Sequence, residues 1–455
     1  MVVVLAVYAW RDWFKSLCGL IVMMAFFEHP DMPRSVAGIP GLNLWNVLTA
    51  VIVLAWVVGR DREGLRWDMR GKHAWFFALF ILMMFIGFVR MMLDRDHLAQ
   101  PASGLVIEYG LNMFKWLIPA VLLFDGCRTR KRIQWAVASL LLLYGLLAVQ
   151  AIRYAPLMAA FDRGALEASR RVIYKNTGYN TCDLGPVLAG ASWAFFASTR
   201  LFARRWFRLG CFGCGLAASY GMVVCGARAG MLAWVAVGLV FGLLRWRKLT
   251  LVVAPVVAVL MVTVFVGFTD RMLEGFGATN VMGQEYFDTA AASSGRMAVW
   301  PIMLEGVQRA PIFGYGRLGY ITSGVAAEVA AIDSTFPHPH NMFIQLWLDN
   351  GLVGAIPAYL LFGVAVITGA KLLRSRRDPL AAAAGGWILG LTLAVLVAGI
   401  GSMTFYPRES LVGMWCAILL CLRVRQLQYA ARPNAAALAR PSGPALRTGP
   451  AWGAA

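Results

Sequence analysis

His338 and His340, two of the five histidines in the chain, stand in Pro337-His-Pro-His-Asn-Met-Phe-Ile-Gln-Leu-Trp-Leu-Asp-Asn-Gly-Leu-Val-Gly354. The pattern there predicts the start of a helix. Pro339 stiffens the approach, Asn341 is a favoured cap residue, Phe343, Leu346 and Trp347 form an apolar face, and Gly351 marks a break. An imidazole at such a point can take a proton near neutral pH, which is general-base chemistry. The plainer alternative is a histidine that only caps the helix.

Arginines supply the second ingredient. Arg228 sits in Cys225-Gly-Ala-Arg-Ala-Gly230, where small residues allow a sharp turn and close approach of a ligand. Alone it could equally snorkel to lipid headgroups. Ser293-Ser-Gly-Arg-Met-Ala-Val-Trp300 reads as a helix start capped by Ser293 or Ser294. Arg296 then lies in the first turn, where the backbone already favours an anion, and Trp300, Met303, Leu304 and Val307 form a stripe expected to pack on the membrane surface. Gly314-Tyr-Gly-Arg-Leu-Gly319 matches G-x-G-x-x-G but lacks the βαβ context of a dinucleotide site, so it reads as a turn presenting Arg317 outward. Arg163, Arg170, Arg171, Lys175, Arg309 and Arg408 complete a set of cations suited to a phosphate-bearing ligand. Cys211-Phe-Gly-Cys214 has metal-like spacing without a second ligand pair, so no metal is expected. Glu108 and Lys115, seven residues apart on one helix face, mark either a cavity or a pair within the membrane, with no role assigned.

These residues must be held by membrane helices. The chain has 455 residues, 60% hydrophobic and 14% charged, with a mean hydropathy of +0.65. A soluble protein is about 25% charged. Apolar runs of about 20 residues recur, each able to cross ~30 Å of hydrocarbon, and their continuity excludes a β-barrel. The expected architecture is an all-α polytopic membrane protein with twelve spans at roughly 13–28, 40–59, 73–93, 103–124, 132–152, 183–202, 207–225, 229–244, 249–268, 350–370, 381–402 and 410–424. Met1–Trp10 lacks the basic start and cleavage site of a signal peptide, and the eight scattered cysteines do not form a disulfide framework.

The net charge of +19 would suggest nucleic acid in a soluble chain, but here it marks orientation. Loops 59–73, 125–132, 200–208, 245–248 and 371–378 carry 20 Lys/Arg in 44 residues, whereas 29–39, 94–102, 226–228 and 403–409 carry one each. The dense loops and both termini are therefore expected in the cytoplasm. The layout is then helices 1–9 over 1–268 with a shorter outer loop at 153–182, a large outer loop at 269–349, helices 10–12 over 350–425, and a disordered tail over 426–455.

In their order and topology these motifs resemble the bacterial O-antigen ligase and O-antigen polymerase family. The resemblance rests on Ala227-Arg-Ala-Gly230, Ser294-Gly-Arg-x3-Trp300, Pro311-x2-Gly-x-Gly316 and His340-Asn-x3-Gln-x4-Asn-Gly-Leu-x-Gly354, within roughly 205–375. The family usually has an acidic residue where Asn350 stands; here Asp349 lies one position earlier. The resemblance implies a GT-C-like, metal-independent glycosyltransferase of the bacterial inner membrane, without cofactor, working at the periplasmic face. Its donor would be a glycan on undecaprenyl diphosphate and its acceptor a hydroxyl of lipid A–core. His340 would be the base, Arg228 and Arg296 would hold the diphosphate, and Arg317, His338, Asn341, Gln345, Arg171 and Lys175 would bind substrate. Membrane lipids but no nucleic acid are the implied surroundings, and a monomer the working unit. A polymerase on the same donor, a protein O-glycosyltransferase and a lipid-linked-sugar flippase are the competing readings. The flippase fits less well because the two halves do not mirror each other.

Overall fold

The computed structural model describes residues 1–438 apart from 34, 36–41, 157, 280–284, 334–335 and 403–405. The apolar runs fold as helices, since hydrocarbon leaves the backbone no other partners. In chain order they are α1 (Val2–Ala9), α2 (Trp13–Phe27), α3 (Leu44–Arg62), α4 (Lys72–Leu93), α5 (Ala102–Gly126), α6 (Arg130–Tyr154), α7 (Arg163–Thr177), α8 (Thr181–Ser198), α9 (Arg205–Val224), α10 (Arg228–Arg245), α11 (Arg247–Thr263) and α12 (Val266–Met272). There follow α13 (Thr289–Ser293), α14 (Arg296–Arg309), α15 (Gly319–Thr322), α16 (Val325–Ala330), α17 (Met342–Leu373), α18 (Pro379–Ala398) and α19 (Val412–Leu438). Ala278–Thr279 and Glu285–Tyr286 pair as a two-residue antiparallel ribbon.

Among the described residues nine helices are long and apolar enough to cross a membrane, so the chain is a multi-pass membrane protein. Helices also form at the expected spans 13–28, 183–202 and 249–268, but α2, α8 and α11 fall short of that length or hydropathy. For α8 the reason is burial. It packs against α18 with its polar Asp183 and Ser192 turned inward, and it needs little lipid-facing apolar surface. The two helices meet at small residues: a Cβ on Gly190 would come 2.5 Å from the Gly390 carbonyl oxygen. The last helix runs to Leu438, which corrects the expected disorder from 426, because 426–438 continue the helical register; 439–455 lie outside the described residues.

The basic loops gather at one end of the bundle. Arg60 and Arg128 both pair with fully buried Asp125, at 3.0 and 2.7 Å, while Arg423 grips Asp68 through two bonds of 2.8 and 2.6 Å. Arg130 reaches Asp378 at 3.1 Å, and Arg245 donates to the Ser375 carbonyl. At the opposite end the two long segments come together through Arg163 on Glu274 at 3.1 Å, and Arg408 pairs with Asp183 of α8 at 2.8 Å. This second end has its own small core of Val299, Met303, Val307, Tyr320, Val325, Val329, Ile344 and Leu348. The stripe on α14 therefore packs inward on its own segment, correcting the expected membrane-surface packing; Leu304 is left exposed.

Candidate active site

The geometry of the site begins with a broken helix. Within α17, Gly351 has φ 57° and ψ −164°, which frees backbone groups on both sides. The 311–316 segment satisfies them: Tyr315 and Gly316 donate to the Leu348 and Asp349 carbonyls at 2.7 Å, and Leu352 and Val353 donate to those of Pro311 and Ile312. Such approach requires glycine at 314, where a Cβ would sit 2.5 Å from the Leu348 oxygen.

This docking carries Arg317 inward, correcting the outward presentation read from the motif. It is 8% exposed and pairs with fully buried Asp349 at 2.9 Å. Asp349 also accepts from the Gly319 amide at 2.9 Å and the Tyr406 hydroxyl at 2.7 Å, and the Arg317 guanidinium lies over the Tyr406 ring. Asn350 donates to the same hydroxyl at 2.8 Å. Removing one partner of a buried pair leaves an uncompensated charge, at about 3–5 kcal/mol. Asp349→Asn is accordingly expected to lower thermal stability in detergent by about 3 kcal/mol. An unchanged melting profile would show that the pair does not hold the break.

Just before the break, Asn341 caps α17, its Oδ1 accepting from the Phe343 and Ile344 amides at 3.0 and 3.2 Å. The cap is thus Asn341, which removes the plain role for His340. The His340 backbone is left-handed, φ 49°, a conformation that costs a non-glycine residue of order 1–3 kcal/mol. Its ring centre lies 3.8 Å from that of His338, the two planes tilted by 42°, and it meets Phe336 edge-on at 5.7 Å; its amide donates to His338 Nδ1 at 3.3 Å. Burial, aided by the positive charges of Arg408 and Arg296, lowers His338 to about 4. Burial, then His338 and Arg296, lowers His340 to the same value. Both imidazoles are neutral at pH 7 and able to accept a proton.

The arginines reach this turn through α14. Gly295, φ 76°, stands at the N-cap, so α14 starts at Arg296 as expected, though neither serine occupies the cap position itself. Gly295 lies against Phe336, and Trp300 donates to the Pro339 carbonyl at 3.1 Å, so the start of α14 and the histidine turn touch. Arg228, at the first turn of α10, donates to the Ala291 carbonyl at 3.1 Å and to Ser294 Oγ, and pairs with Glu274 at 3.6 Å. Glu274 also receives Arg163 and Arg271. Arg296 Nε is buried without a hydrogen-bond partner, and burial, with Arg228 nearby, lowers its basicity.

Of the basic group on α7, the structure brings Arg170 inward, against Gly226 and 3.5 Å from Cys182 Sγ. Arg171 and Lys175 are exposed. The helix period decides this: buried Leu166, Ser169, Ile173 and Thr177 define the inner face, which Arg170 flanks. Gln345, one turn beyond the cap, is 4% exposed with Oε1 unpartnered. Among the described residues no three His, Cys, Asp or Glu side chains are grouped to hold a metal.

The site therefore joins two neutral imidazoles to a cluster of arginines in which the Nε groups of Arg170, Arg271 and Arg296 are buried without a hydrogen-bond partner. This set can deprotonate a hydroxyl and hold an anionic leaving group. Residues 213–359 match the family model described as O-antigen ligase, which covers Arg228, Arg296, Arg317 and both histidines. No curated protein matches the chain.

Proposed function

On the match of residues 213–359 to the O-antigen ligase family model, we propose that the chain is a member of that family and transfers a glycan from undecaprenyl diphosphate to a hydroxyl of lipid A–core at the periplasmic face of the inner membrane. The observation that carries this reading is the meeting of Arg228 and Arg296 with the His338–His340 turn, bridged by Ser294 and Gly295. His340 takes the proton of the acceptor hydroxyl as its oxygen bonds to the anomeric carbon. The bond from that carbon to the diphosphate oxygen breaks, and the electron pair leaves with the diphosphate, held by the two guanidiniums. Asn341 sets the start of α17, and Arg317 and Asp349 lock the break behind it. The apolar helices accommodate the polyprenyl tail in a GT-C-like arrangement.

Reconstitution with an undecaprenyl-diphosphate glycan and rough lipopolysaccharide tests this directly. Glycan appearing on the lipopolysaccharide supports ligation. Lengthening of the lipid-linked glycan instead would identify a polymerase, and movement across the bilayer without transfer a flippase. The orientation has its own test. Lys175→Cys, exposed on α7, is expected to react with a membrane-impermeant maleimide in cells whose outer membrane alone is opened. Labelling only after the inner membrane is permeabilised would invert the topology.

A further inference from the structure

The turn between α9 and α10 brings together cations that lie far apart in the chain. Ser169 on α7 donates to the Val224 carbonyl at 2.5 Å, which docks that helix on the turn. Arg170, the next residue, lays its stem over Gly226, where a Cβ would come 3.0 Å from Arg170 Cδ and 3.2 Å from Cγ. Gly226 also has φ 61°, a second reason for glycine at this point. Arg228 follows directly in the same turn and reaches Ser294, and so the start of α14 at Arg296. On the other side, Arg170 Nη2 meets Cys182 Sγ at 3.5 Å, and that thiol lies within electrostatic reach of Arg296. Arg170, Arg228, Arg296 and Cys182 therefore surround a single site.

Carboxylates satisfy only part of this cluster. Glu274 receives Arg228 at 3.6 Å, Arg163 at 3.1 Å and Arg271 at 2.5 Å, and Glu167 also receives Arg271, at 3.4 Å. Among the described residues no carboxylate pairs with Arg170 or with Arg296. The Nε of each is buried with no acceptor, and the acceptor that Arg170 Nη2 does meet is a thiol, which accepts weakly. A guanidinium withdrawn from water without a counter-ion is unfavourable, and an anion bound between the two would remove that cost. Arg170, Cys182, Arg228 and Arg296 are all half-buried, so each keeps surface that an arriving anion can touch.

We propose that Arg170 is a third ligand of the donor's diphosphate, gripping the same leaving group as Arg228 and Arg296, with the Cys182 thiol alongside. The proposal rests on the glycan-transfer reading above and deepens it. As the glycosyl bond breaks, the outgoing phosphoryl group gains a terminal oxygen and negative charge, for which a further planar fork supplies two parallel bonds.

The native Cys182 thiol supplies the reporter, read against Cys182→Ser as background in the full chain in detergent. An anionic methanethiosulfonate is expected to react with it at least about tenfold faster than a cationic one. Inorganic pyrophosphate and undecaprenyl diphosphate are expected to protect it, phosphatidylglycerol, a lipid headgroup phosphate, is not, and Arg170→Gln is expected to need about tenfold more pyrophosphate for the same protection. Faster reaction with the cationic reagent, no reaction at all, no protection by pyrophosphate, or equal protection by phosphatidylglycerol would overturn the proposal. In the transfer assay Arg170→Gln is expected to raise the donor KM about tenfold and Arg170→Lys to recover part of that loss, while the acceptor KM stays within about twofold in both. An unchanged donor KM in Arg170→Gln would also overturn it. If the unaltered protein transfers no glycan, the transfer reading fails, and the protection of Cys182 with and without Arg170 still decides whether this residue belongs to an anion site.

Discussion

Replacing His340 by alanine is expected to lower glycan transfer by about 10²–10⁴-fold, the usual contribution of a positioned general base. The loss belongs to the imidazole rather than the fold. Asn341 keeps the helix cap, and Met342 keeps its 2.8 Å bond to the Gly399 carbonyl. His340→Gly sharpens the point. At φ 49° glycine carries no Cβ penalty, so that variant is expected to match or exceed the parent in thermal stability while losing the same activity. An active His340→Ala beside an inactive His338→Ala would move the base to His338; activity in both would end the mechanism. The pH profile follows from the shift to about 4 caused by burial, His338 and Arg296. Only the neutral ring is a base, so kcat/KM is expected to rise with pH through about 4 and to level off well below neutrality. The diphosphate brings negative charge beside the ring and favours the imidazolium, so the limb in kcat is expected at higher pH than the limb in kcat/KM.

The second large effect is expected from Arg296→Lys and Arg228→Lys. Each keeps a cation but loses the planar fork that holds phosphate oxygens through two parallel bonds. Loss of one preorganised donor to developing charge lowers turnover by about 10²–10³-fold, and a fall of that order in transfer is expected for Arg296→Lys. Its buried Nε without a partner is the group that a bound oxyanion would satisfy. Arg228→Lys carries an additional consequence. The guanidinium spans Ser294, the Ala291 carbonyl and Glu274, which an ammonium cannot reach together, so the 289–296 segment is expected to become more susceptible to proteolysis. Full transfer activity in both lysine variants would remove the diphosphate role.

The sequence by itself determined the class of the molecule and its chemical vocabulary. Continuous apolar runs allow only helices in hydrocarbon, and the basic loops had to collect at one end, where Arg60, Arg128 and Arg130 now lie. Motif spacing alone singled out Arg228, Arg296 and His340, because local constraints act there: a glycine turn, a helix start and a proline-stiffened cap. Only the tertiary structure decided which neighbours face inward. Arg170 rather than Arg171 meets the cluster because a helix turns about 100° per residue, and only the packing of Leu166 and Ile173 says which way. Arg317 is buried rather than presented because Asp349, 32 residues on, waits beneath it, and the freed carbonyls of the broken helix draw the glycine turn down. A cavity lined by Glu108, Lys115, Gln345 and Arg408 was beyond local reading for the same reason. Its walls come from segments separated by more than two hundred residues, and a pairing at that distance is chosen by the packing of whole helices, on which no short pattern reports.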